Sequence, residues 1–190
     1  YFSDAKAGGL ATIHPELLAD IADPDTPQTV FGILCAAPRK RRDTGVDLFT
    51  VVSCDNLPEN GHVAGETTCG LAAAIAPDFG AWMKANVAFP NSMVDCITPA
   101  TSDRERQLVK DSFGIVDARP VVCEPFRQWV LEDNFPTGRP NLEEVGVEFV
   151  DDVAPHELMK LRILNGGHAA IAYPAGLLGI HFVHDAMDHS

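Results

Sequence analysis

A lysine, an asparagine and a histidine stand five and three residues apart in Lys160-Leu-Arg-Ile-Leu-Asn165-Gly-Gly-His168, downstream of Pro155-His-Glu157-Leu-Met. An α-helix advances about 100° per residue, so Lys160, His168 and Asn165 fall at roughly 0°, 80° and 140°, with Glu157 near 60°. One helix face then carries an acid/base candidate, two hydrogen-bonding groups and a carboxylate, a set suited to proton transfer. Gly167 lies on that side and leaves room for close approach to the backbone. Adjacent glycines cost a helix roughly 1–2 kcal/mol against alanine, so stability alone does not select Gly166-Gly167. The same spacing is also that of an ordinary surface helix with a polar face.

These residues need elements to hold them. Apolar spacing predicts helices over Pro15–Ala22, Thr29–Arg42, His62–Ala76 and Ser102–Lys110. Turns are predicted at Gly8-Gly9, Asp23-Pro24 and Thr26-Pro27. A short apolar, β-branched run predicts a strand at Asp47–Cys54, with further short strands at Ala85–Phe89, Pro120–Cys123 and Val147–Val150, a loop over Pro90–Pro99 and a helical turn over Arg127–Glu132. Asn56 follows the first strand, where ligands bind in open α/β sheets. Asp151-Asp-Val-Ala-Pro155 reads as a boundary, because proline suits the first turn of a helix. From there to Met187 the pattern is helical, broken at Pro174. Trp129 reads as core, and Glu124 with Arg127 as a structural ion pair.

Composition narrows the function classes. The formal net charge is −13, which disfavours nucleic acid and anionic membranes as partners. No apolar run is long enough to span a bilayer. Arg39-Lys-Arg-Arg42 is a short basic cluster and reads as a solvated helix end before a Gly45 turn. Five separated cysteines without a CxxC argue against a disulfide framework and a structural zinc site, and for a reducing, cytoplasmic setting. His181 and His184 share a turn without an evident third ligand, so no metal site is expected.

Four ordered blocks share a resemblance. They are Ser53-Cys-Asp-Asn56-Leu-Pro-Glu-Asn60-Gly61, Phe89-Pro-Asn91-Ser-Met-Val-Asp95-Cys-Ile-Thr98-Pro99, Cys123-Glu-Pro-Phe-Arg127-Gln-Trp129-Val-Leu-Glu-Asp133-Asn-Phe, and Lys160-x4-Asn165-x2-His168. Together they resemble the long-chain polyol dehydrogenases, the mannitol 2-dehydrogenase and fructuronate reductase group, from about Thr29 to Met187. The resemblance implies an α/β fold: the later part of a Rossmann-like nucleotide-binding domain over residues 1–152, then the start of a mainly helical C-terminal domain over residues 153–190. No G-x-G-x-x-G follows a strand here. The group carries that fingerprint near its own N-terminus, so the chain, which starts at Tyr1, reads as an internal piece of a longer enzyme and is expected to be inactive alone.

The resemblance further implies an NAD-dependent polyol 2-dehydrogenase, with NADP also open. It assigns Lys160 as general acid/base, Asn165 and Asn56 as the amide pair on the reacting oxygen, and His168 as substrate-binding. That scheme needs no zinc. Asp95 matches the Asn-Ser-Met-Val-Asp block and is a candidate for substrate or cofactor binding, or a helix cap. Glu157 is a candidate proton relay for Lys160, or a surface ion-pair partner. The partner is a small polyol or ketose; oligomeric state is left open. One block departs: the group's Val-Asp-Arg-Ile-Thr-Pro is Val94-Asp95-Cys96-Ile97-Thr98-Pro99, which removes a cation beside Asp95. A hexuronate reductase of the same group and a non-catalytic module of the fold are the competing readings. A uronate carboxylate wants an extra cation, and none is assigned from the sequence.

Overall fold

The computed structural model describes residues 14–188, and the expected turn at Gly8-Gly9 lies outside them. The described residues open with four helices: α1 (Pro15–Ala22), α2 (Val30–Thr44), α3 (Asn60–Ile75) and α4 (Pro77–Asn86). A three-stranded sheet follows, built from β1 (Ser92–Asp95), β2 (Gln128–Glu132) and β3 (Glu148–Val150), with α5 (Asp103–Phe113) between β1 and β2. The C-terminal part is α6 (Ala154–Met159), a π-helical segment (Lys160–Asn165), α7 (Gly166–Leu177) and α8 (Val183–Met187).

Local chemistry accounts for the helix ends. Thr29 caps α2 by accepting from Gly32 N at 3.0 Å, and its hydroxyl donates to the buried Asp20 carboxylate. Asp20 also accepts from Gln28 N and Thr29 N, which binds α1 to the start of α2. Gly45 ends α2 at φ 69, a left-handed conformation that costs glycine little. Arg42 of the basic cluster lies over the Trp82 ring at 4.8 Å, so that cluster also packs on α4. Ser102 and Glu105 form a capping box at α5. Pro155 sits in the first turn of α6, as its position predicts.

The main core lies among α1 to α4: Leu17, Phe31, Cys35, Leu71, Ala72, Phe79, Met83 and Val87 are buried together. A smaller cluster of Met93, Val130 and Val153 joins the sheet to α6. At the α3 start, a Cβ on Gly61 would stand 2.1 Å from the Pro90 carbonyl oxygen, so only glycine permits that approach.

Several expected elements differ. The Asp47–Cys54 run is half-buried and forms no ladder; its backbone bond across to the other run is Val51 N to Ala88 O at 3.0 Å. A ladder needs successive backbone bonds, and among the described residues this run makes that one bond across. Residues 77–86 form α4, so Ala85 and Asn86 end a helix instead of opening a strand. The expected loop over Pro90–Pro99 contains β1, and the expected turn over Arg127–Glu132 contains β2; the two pair antiparallel, with Asp95 opposite Gln128. Such non-local pairing leaves little trace in either run alone. β2 and β3 pair in parallel. Pro120–Cys123 is not a strand. Pro174 does not break α7, which ends at Leu177.

Candidate active site

Four segments build the site: the loop after Val52, the end of β1, the residues before β2, and the helix that begins at Ala154. Asn60 locks the first two together. It is fully buried, its amide nitrogen donates to Ser53 O, Asp55 O and Ser92 Oγ, and its oxygen accepts from Gly61 N and Ser92 N. The Asn56 loop and β1 are thereby fixed to the start of α3. Asn91 extends the lock, accepting from His62 N while its amide nitrogen donates to Glu132.

Lys160 is the centre. Its side chain is 8% exposed, and Nζ donates to Asn56 Oδ1 at 2.7 Å and lies 4.0 Å from Asp95 Oδ1. An ammonium has only donors, so the Asn56 oxygen must face it, and the Asn56 amide N–H groups are left to point elsewhere. The attraction between Lys160 and Asp95 acts with little water between them, since Asp95 is 10% exposed.

The helix carrying Lys160 is not a plain α-helix. Residues Lys160–Asn165 are π-helical, and Gly166 N bonds back five residues to Leu161 O. A turn closed that way advances about 85° per residue, against about 100° in an α-helix. On that geometry Asn165 stands about 65° from Lys160, and His168 is almost in line with it. The arc spanned by the three groups shrinks from the roughly 140° expected for an α-helix to about 65°. The expected α-helical angles are therefore corrected to a narrower arc.

An open cleft of about 1160 Å³ collects five of the expected residues: Asn56, Asp95, Lys160, Asn165 and His168 all line it. Asn165 is half-buried and His168 exposed. Glu157 does not line this cleft. It lines a pocket of about 20 Å³ together with Asn56, Ser92 and Lys160, space for about one water molecule. Its carboxylate accepts from Glu59 N at 3.2 Å, and Glu59 is a non-glycine residue at φ 55. Burial pushes the Glu157 carboxyl above its ordinary value; the Glu59 N–H opposes this, and the negative charges of Glu59, Glu132 and Asp152 reinforce it. Asp95 ends a strand instead of occupying a loop. Gly167 has open space where a Cβ would stand.

Three further residues matter. Asn60 was readable only as part of a block. Arg127 lines the large cleft, and its expected partner Glu124 instead accepts from Ile97 N at 2.8 Å, so no Glu124–Arg127 ion pair forms among the described residues. Trp129 is a half-buried wall of the cleft instead of core, and its indole N–H is buried without a partner. Among the described residues, no group of three His, Cys, Asp or Glu side chains could hold a metal ion, and no helix is long and apolar enough to cross a membrane.

The sequence and the fold both match known proteins. Residues 6–144 match the family model for the mannitol dehydrogenase Rossmann domain, and residues 152–190 match that for the mannitol dehydrogenase C-terminal domain. A mannitol 2-dehydrogenase of Cereibacter sphaeroides is 56% identical over 189 residues, covering 100% of this chain and 39% of that protein. A D-mannonate oxidoreductase of Escherichia coli is 46% identical over 187 residues, covering 98% of this chain and 38% of that protein. Among solved structures, Pseudomonas fluorescens mannitol 2-dehydrogenase in a ternary complex with NAD and D-mannitol superimposes with a TM-score of 0.81 at 52% identity. That match covers 93% of this chain and 36% of the other. This chain thus spans about two fifths of the length of such relatives.

Proposed function

The chain belongs to the mannitol dehydrogenase family, and on that premise we propose that it is the acid/base-bearing part of an NAD(P)-dependent polyol 2-dehydrogenase. Mannitol 2-dehydrogenase, interconverting D-mannitol and D-fructose, is the specific activity favoured. The observation that carries this reading is the buried Lys160 Nζ, bonded to Asn56 at 2.7 Å and opening onto the cleft that Asn165 and His168 also line. Residues 1–152 then belong to the dinucleotide-binding part, and residues 153–190 open the substrate domain.

The cleft is large enough for a small polyol beside a dinucleotide end. Residues 96–98 follow the carboxyl end of β1, where ligands of α/β sheets bind, and would hold the nicotinamide end of NAD(P). When bound, that cofactor supplies the hydride acceptor. Lys160 Nζ, as the free amine, takes the hydroxyl proton of the polyol, or, as the ammonium, gives a proton to the ketose oxygen. The N–H groups of Asn56 and Asn165 donate to the same oxygen and stabilise its developing negative charge. Asp95 and His168 hold neighbouring hydroxyls. Glu157 passes the proton from Lys160 toward solvent through the one-water pocket they share. The scheme needs no zinc.

A second reading has its own support. Arg127 supplies a cation in the cleft that suits a sugar carboxylate, and a D-mannonate oxidoreductase is among the relatives. The deciding experiment follows NAD(P)H absorbance in the full-length protein with fructose, fructuronate and tagaturonate. Rapid consumption with fructose alone supports the mannitol reading. Preference for a uronate moves the assignment to hexuronate reductase. A folded, cofactor-binding protein silent with all three overturns both.

A further inference from the structure

Cys96 and Cys123 lie 27 residues apart in the sequence, yet the fold makes them neighbours whose side chains interact. The backbone holds them there. Glu124 N donates to Ile97 O at 3.2 Å, Ile97 N donates to the Glu124 carboxylate at 2.8 Å, and Cys96 Sγ lies 3.9 Å from Glu124 O. Both thiols are free and exposed. Cys96 lines the cleft and directly follows Asp95.

We propose that Cys96 and Cys123 form a reversible oxidation site at the cleft lip, where a peroxide converts the thiol pair to a disulfide that restrains Asp95. The Cys96 thiolate attacks one peroxide oxygen and the O–O bond breaks. This gives a sulfenic acid at Cys96, and the departing hydroxide takes up the thiol proton as water. The Cys123 sulfur then attacks the Cys96 sulfur, the S–O bond breaks, and the oxygen leaves with the Cys123 proton as a second water. The two thiols lose two electrons together, and the peroxide gains them. An added dithiol reverses the change by exchange.

Partial desolvation raises the Cys96 thiol above its ordinary value, Cys123 and Glu124 reinforce this, and the cation of Arg127 opposes it. Because the thiolate is the attacking species, oxidation quickens as the pH rises through the alkaline range. The new bond ties the segment after Asp95 to residues 123–124 and limits its adjustment to substrate. Misplacement of a binding group by about 1 Å can cost on the order of 10²-fold, and a restraint of this kind is expected to lower kcat/KM about tenfold.

The test treats the full-length protein with hydrogen peroxide and maps its peptides without reduction. A Cys96–Cys123 cross-linked pair, lost on adding dithiothreitol, is expected, with kcat/KM falling and recovering in step. Cys123→Ser, untreated, keeps its kcat/KM and on treatment forms no such pair. A cross-link to Cys54 instead, continued alkylation of both thiols after peroxide, or an unchanged kcat/KM at full cross-linking overturns the proposal. The map reads the chemistry without any turnover, so its failure is distinct from failure of the dehydrogenase reading.

Discussion

The helices before β1 and the helices after β3 are held in opposite ways. α1 to α4 bury a shared apolar cluster, with Leu17, Leu71, Ala72 and Met83 at 1% exposure or less. From α6 to α8 the buried residues among those described are Lys160 and Ala175, while Ile163, Tyr173 and Leu177 are 71% exposed or more. Beside Val153, which packs on Met93 and Val130, what fastens this second region to the rest is polar: Lys160 to Asn56, Lys160 to Asp95, and Glu157 to the Glu59 backbone. In the first region the apolar cluster that gives stability is separate from the groups assigned to chemistry. In the second, the groups assigned to chemistry are also the fastenings, so substitutions there act on both at once.

The strongest break in this contrast comes from Lys160→Ala in the full-length protein. It is expected to lower kcat on the order of 10³-fold while cofactor affinity holds, because it removes the proton-transfer group. Turnover near the wild-type rate in a steady-state assay would sink the role given to Lys160. Leu71→Ala tests the first region. Deleting a fully buried leucine is expected to destabilise by about 2–5 kcal/mol, with kcat per folded molecule unchanged. Urea unfolding with activity measured at low denaturant checks both halves of that statement.

Between these extremes lies the π turn. Inserting one alanine between Ile163 and Leu164 swings Asn165 by about 100° and is expected to lower kcat/KM about 10²-fold. Deleting Ile163 instead lets an α-helix form with the three groups still on one arc, and the loss should stay within about tenfold. Equal losses from insertion and deletion would show that the arc does not matter. The smallest effect concerns pH. A carboxyl held above its ordinary value binds its proton more readily folded than unfolded. The stability it gives is present below the ordinary value and is lost as pH rises through the raised one. Glu157→Gln removes that loss, so thermal unfolding curves of the two proteins diverge as pH climbs through the carboxylate range. Curves that stay parallel would remove the buried-carboxyl account.

Local features were legible in the sequence. The caps at Thr29 and Ser102, the proline opening α6 and the glycine ending α2 each rest on residues close together in the chain. The blocks carrying Asn56, Asp95 and Lys160 pointed to one site, and the fold brings them to one cleft. What stayed hidden is non-local. β1 and β2 are each a few residues long and are set by pairing across the chain, with the buried Met93 opposite the buried Val130. The Cys96–Cys123 approach depends on that same pairing. Helix α4 begins with Pro77 and Asp78, a legible start, but the apolar residues Ala85, Val87, Ala88 and Phe89 at its end suit a strand as well. The π turn leaves no periodic signature, since it lasts six residues.

That π turn bears on how the motif travels between proteins. Lys-x4-Asn-x2-His spells a three-dimensional arrangement only when one extra residue is absorbed in the wider turn. On a straight α-helix the string that sets the same groups within an arc of about 60° is Lys-x3-Asn-x2-His, one residue shorter. A designer copying the longer string onto an ideal helical scaffold would inherit the letters and lose the constellation. A pattern search restricted to the longer string would, in turn, pass over any helix that reaches this arrangement without the bulge.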